Sequence, residues 1–241
     1  MGRVVTFAQL TSETVNGIDA APITRGDTQE MAAEHIRIAP RRQWSATATR
    51  GADCYLFVLD GASTISAAGR QYHFPPEAFA AVEEGVAFRI EAGEDGPASI
   101  IKVIAPPQPN GRPAPGFTGK IAVVERADAP MLDLPHEKKK RIYFVDDDAI
   151  KSERGHAMIV VYEKDTVTRL HHHPNAESMF VMLSGALQFI INGEAAVLRP
   201  GQAVYFGLND LHGLRVAQEQ SGATFLEFHI PAAYSTVRSQ E

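Results

Sequence analysis

The sequence predicts an all-β chain made of two related halves, and three observations carry that reading. Apolar runs of four to seven residues alternate with Gly, Pro, Asn and Asp, and no stretch keeps helical periodicity for three turns. Between residues 106 and 116, five prolines in eleven residues forbid a helix or a central strand and separate the halves. Shifting the chain by 124 residues lays Leu59 on Leu183, Gly61 on Gly185, Gly69 on Gly193 and Pro76 on Pro200, so turn chemistry repeats in register.

In chain order, Arg3-Val-Val-Thr-Phe7 is an arm able to add as a strand to a sheet edge, or to fold on its own domain. Tyr55–Leu59 is a strand of the first half. After the proline-rich connection, Ile121–Val124 is a short apolar segment, and the basic run His136–Arg141 reads as a solvated turn. Ala157–Tyr162, Met179–Leu183, Gln188–Ile191 and Thr224–Phe228 are strands of the second half. The overlay carries residues 47–92 onto 171–216 without a gap and, after one inserted residue, 98–106 onto 223–231. The expected division is a first domain over 1–105, a linker over 106–141 and a second domain over 142–241.

With 241 residues, 44% of them apolar, the chain is long enough to bury a sizeable core, which excludes a disordered protein. Its net charge of −6 offers no footprint for nucleic acid or an acidic membrane, so neither partner is expected. No apolar run approaches the ~20 residues of a spanning helix. The single cysteine, Cys54, reads as a small core residue, and a reducing cytoplasmic setting is expected.

The chemistry concentrates in Arg169-Leu-His-His-His-Pro-Asn-Ala-Glu-Ser, followed by Leu198-Arg-Pro-Gly201 and His212. Alternation along a strand puts His171 and His173 on one face and His172 on the other, so the pair presents two imidazoles to one point. Two imidazoles with a carboxylate or a third imidazole make a transition-metal site with open positions.

At these residues the sequence resembles the cupin family. The pair His171 and His173, the turn Pro200-Gly201 and His212, eleven residues after Gly201, match the family's two motifs. The resemblance implies tandem double-stranded β-helix barrels of the jelly-roll type, a bicupin, with His171, His173 and His212 as metal ligands. The two motifs leave the fourth ligand open. Glu177 has the right count from His173, whereas the count back from Gly185 lands on Ser178, and a bulge near Ser184 would reconcile the two. Carboxylate chemistry decides for Glu177, which is the expected fourth ligand in place of Ser178. A strand regular up to Gly185 favours Ser178 and a three-histidine site.

The first half has lost such a site, because the overlay puts Thr47, Thr49 and Phe88 opposite the three histidines and Asp53 opposite Glu177. Its barrel is expected to be filled with apolar side chains. Phe180, Met182, Phe189, Ile191, Tyr205 and Phe206 are available to line or back a cavity in the second half, and His229 reads as a satisfied structural histidine near it. The expectation is one divalent transition metal per chain, iron first, with manganese, nickel, zinc or copper as alternatives. Activity on a small polar metabolite as a non-haem iron dioxygenase leads the readings. Redox-neutral isomerase, lyase or hydrolase chemistry and non-catalytic ligand binding stand as alternatives, and a homodimer is expected as the assembly.

Overall fold

The structure is a computed structural model and describes residues 3–239. Among the described residues, twenty-three short strands, every named pairing antiparallel, form four sheets; the remainder is turns and four single-turn 3-10 segments. Among the described residues no helix is long and apolar enough to cross a membrane.

Two sheets have seven strands each and the same plan. One runs Ile121–Val124, Phe79–Val82, Asp53–Asp60, Ala98–Ala105, Ala32–Ile38, Ile18–Pro22, Glu13–Val15. The other runs Arg3–Thr6, Gln202–Phe206, Glu177–Gly185, Gly222–Ile230, His156–Glu163, Lys139–Val145, Met131–Leu134. Each faces a smaller sheet. Gln43–Thr47, Ala87–Ala92, Ser63–Ala67 and Arg70–His73 close the first barrel, and the corresponding strands plus Val237–Arg238 close the second.

Alternation divides the apolar side chains among three cores. Leu56, Val58, Ile65, Phe74, Phe88 and Ile90 fill the first barrel, with Trp44 edge-on to Phe88 at 5.4 Å. Cys54 lies in this core, and burial pushes its thiol up to about 12. Phe180, Met182, Phe189, Phe206 and Phe225 line the second barrel. Between the two large sheets lies a third core drawn from both halves, including Tyr55, Phe57, Phe79, Phe144, Met179, Tyr205 and Phe228.

The duplication extends to irregularities. In each half the register slips at the same leucine, Leu59 between Val58 and Asp60 and Leu183 between Met182 and Ser184. The glycine two residues later turns the chain with positive φ, +82° at Gly61 and +74° at Gly185. A Cβ there would come within 2.1 Å of the Pro97 carbonyl oxygen or 2.2 Å of that of Gly222. Only glycine fits.

The strands also show an exchange that the expected boundaries do not contain. Arg3–Thr6 pairs with Gln202–Phe206 of the second barrel, while Ile121–Val124 pairs with Phe79–Val82 of the first. The segment that precedes each barrel thus completes the edge of the other. The stretch 106–141 is therefore more than a connection: it holds that strand and Met131–Leu134, and the basic run leads directly into the Lys139–Val145 strand. The N-terminal arm finds its edge within its own chain, on the opposite barrel.

Candidate metal centre

His171 is the penultimate residue of the Val167–His172 strand, His173 follows the strand, and His212 opens the strand paired beside it, with His171 directly opposite His212. Strand alternation and this register bring three rings into one cluster, in which ring nitrogens of all three lie within 4.8 Å of one another. The side chains are buried, at 8%, 4% and 0% exposure.

The hydrogen bonds set the tautomers. Nδ1–H of His171 donates to the Arg169 carbonyl, that of His173 to the Ser235 carbonyl and that of His212 to the Asp210 carbonyl, each at 2.8 Å. A carbonyl oxygen only accepts, so each Nδ1 carries the proton and each neutral ring keeps a lone pair on Nε2. Nε2 of His212 is fully buried and has no partner. Burial holds all three rings below the ordinary 6.5, His173 at about 4 and His212 at about 3. Phe206 stacks on His212 at 4.1 Å and fixes its plane. Three neutral imidazoles oriented by carbonyls, one with an orphaned buried nitrogen, are the donor set of a divalent transition metal.

Glu177 is not among them. Alternation gives Ser178, Phe180 and Met182 to the barrel interior and Glu177, Met179 and Val181 to the layer between the barrels. There the Glu177 carboxylate accepts the backbone N–H groups of Gln29, Glu30 and Met31 at 2.6, 2.9 and 2.8 Å. The bulge before Gly185 is present, but it lies at Leu183, near the other end of the strand, and leaves the parity of Glu177 unchanged. Asp53, the residue opposite Glu177 in the duplication, does the reciprocal job. It is fully buried and accepts from Ser152 Oγ, Tyr55 Oη, Phe117 N–H and Arg154 Nη1, at 2.5 to 3.2 Å. Each half thus sends one carboxylate into the other half or the connection. Tyr205 also faces this layer rather than the cavity, donating to Asp27 at 2.5 Å.

The cluster opens onto a cavity of about 410 Å³ within the second barrel. Its wall includes Phe180, Arg141, Glu227, His229 and Tyr234. His229 is indeed satisfied, with Ser178 Oγ 2.7 Å from Nδ1 and Glu227 Oε1 2.6 Å from Nε2, and Tyr234 stacked on its ring at 3.8 Å. The C-terminal segment supplies Tyr234, the Ser235 carbonyl and the Val237–Arg238 strand, which pairs with His171 and His172. Sequence reading missed Glu227, although its place two residues before His229 in an apolar strand puts both on one face; no local pattern marks Arg141, Tyr234 or Ser235.

Residues 158–229 match the family model described as Cupin domain. Among solved structures, the putative glyoxylate-induced protein of Pseudomonas aeruginosa superposes with a TM-score of 0.76 at 16% identity, covering 100% of this chain and 89% of that one. The oxalate decarboxylase of Lactobacillus farciminis, solved as a formate complex, gives 0.74 at 13% identity over 98% and 88%. The Bacillus subtilis oxalate decarboxylase, studied for its Mn(II) centres, gives 0.70 at 14% identity over 98% and 78%. No curated protein matches the chain by sequence. A cupin domain thus lies over the histidine cluster, and the two barrels in tandem have the fold of these two-domain cupin structures.

Proposed function

We propose that this bicupin is a metal-dependent enzyme of the dioxygenase type acting on a small polar metabolite, with one divalent metal held by His171, His173 and His212. The observation that carries the reading is the set of three neutral rings, each with Nδ1 committed to a carbonyl and Nε2 left for the cluster. Such a set, with no carboxylate attached, keeps positions open for a chelating ligand and for oxygen, and iron(II) suits it. Manganese, nickel, zinc and copper accept the same donors, and the Mn(II) centres of the Bacillus subtilis relative support a divalent ion. When bound, the metal would polarise a ligand oxygen; the protein orients the imidazoles, backs His212 with Phe206, and provides the cavity, with Phe180 in its wall. The cytoplasm is the proposed compartment. A homodimer is the proposed assembly, supported by the exposed apolar residues Val15, Met131 and Leu132 on two of the edge strands, Glu13–Val15 and Met131–Leu134.

A second reading, redox-neutral isomerase, lyase or hydrolase chemistry, is favoured by Glu227, a carboxylate on the cavity wall placed for acid–base work. Elemental analysis of purified protein, followed by oxygen uptake after reconstitution with iron(II), separates the two. Turnover of a substrate at the same rate without oxygen would refute the dioxygenase reading.

A further inference from the structure

Two carboxylates line the cavity beside the histidine cluster. Glu137 is ion-paired with Lys139 and its side chain is 55% exposed. Glu227 is different: its side chain is 12% exposed, and one oxygen, Oε1, accepts from Nε2–H of His229 at 2.6 Å. Its second oxygen makes no hydrogen bond with any described residue. His229 cannot easily turn, because Ser178 engages its other nitrogen at 2.7 Å and Tyr234 stacks on it with 16° between the planes. The His229 ring also sits 5.0 Å from that of His173, so the assembly adjoins the candidate metal ligands. Burial works against charge on Glu227, but the His229 hydrogen bond, with Arg141 and His156 nearby, holds its carboxyl below the usual range. The resting group is thus an ionised carboxylate with one oxygen anchored, on the wall of a partly open cavity, and a ligand anion formed beside it would raise its carboxyl again, so that it can hold a proton.

We propose that Glu227 is the proton acceptor of this cavity, taking a hydroxyl proton from a ligand of the enediol or catechol class, and that His229 is its positioning residue. The ligand's O–H bond breaks, a new O–H bond forms on the free oxygen of Glu227, and the electron pair stays on the ligand oxygen. No oxidant or reductant is needed. The inference rests on the metal-site reading, and deprotonation of such a ligand serves dioxygenase and enediol isomerase chemistry alike, so it does not choose between them.

The probe is 4-nitrocatechol, whose colour reports its ionisation, added to the full chain loaded with Zn(II), which is redox-inert. Zinc content is measured first. Calorimetry in two buffers of different ionisation enthalpy then counts the protons released on binding, at a pH below that at which the free probe ionises. The expected result is that wild type binds the probe as an anion and releases about one proton fewer than Glu227→Gln, because Glu227 retains it. Glu227→Gln keeps its zinc and binds the probe ~10–100-fold more weakly. Glu227→Asp, which keeps the charge, recovers part of the proton retention. His229→Asn falls between wild type and Glu227→Gln on both readouts. Equal proton release and affinity in wild type and Glu227→Gln, with zinc bound in both, would overturn the role of Glu227. Absence of zinc from the wild type would instead overturn the metal reading itself.

Discussion

Replacing Glu177 with Ala removes a carboxylate that is 1% exposed and that binds three consecutive backbone N–H groups of the other half of the chain. A buried donor left without a partner costs about 1–3 kcal/mol. Met31 is 2% exposed and bears that cost in full, whereas Gln29 and Glu30 lie where water can reach them. The sum is about 2–4 kcal/mol. For a chain of this size each kcal/mol lowers Tm by ~2–4 °C, so the fall should be roughly 4–16 °C. Glu177→Gln, which retains one acceptor oxygen, should lose less. Metal content should stay at one ion per chain in both variants, because the carboxylate lies outside the histidine cluster. Calorimetric melting together with elemental analysis tests the reasoning on the same preparations. Loss of the metal with an unchanged Tm would refute it and return Glu177 to the site.

Substituting His171 and His173 together with Ala should abolish metal binding, read by elemental analysis; full stoichiometry in the double variant would sink the assignment. Gly185→Ala and Gly61→Ala should each destabilise by about 2–4 kcal/mol, since both force a side chain into positive φ and against a neighbouring carbonyl; denaturant midpoints within error of wild type would contradict this. His35, held at about 4 by burial and by Arg37, stays neutral in the folded chain at pH values where the unfolded chain is protonated. The unfolded state then binds more protons, so stability should rise with pH between about 4 and 6.5 and fall as the pH drops through that window. His35→Gln should reduce this slope in a Tm series, and an unaltered slope would show that His35 does not contribute.

The alternation of apolar residues, the turn glycines and the 124-residue repeat are local or one-dimensional properties, and they sufficed for the all-β class, the two barrels and the apolar filling around Phe88. The spacing of His171, His173 and His212 was equally legible, because strand geometry converts a count of residues into a direction. The bulge before Gly185 could also be counted. What the count could not say was which layer Glu177 faces, because a bulge at Leu183 leaves the alternation from Glu177 to Met182 untouched. Its partners, the amides of residues 29–31, lie some 146 positions away in the chain. The reciprocal exchange of Arg3–Thr6 and Ile121–Val124 is invisible for the same reason, since any edge strand offers the same unpaired backbone groups and only the packing of the two large sheets decides which edge is within reach. Glu227 belongs to both accounts. Its face followed from the strand, but its anchoring by His229, Ser178 and Tyr234 required three segments to meet, and only the tertiary structure brings them together.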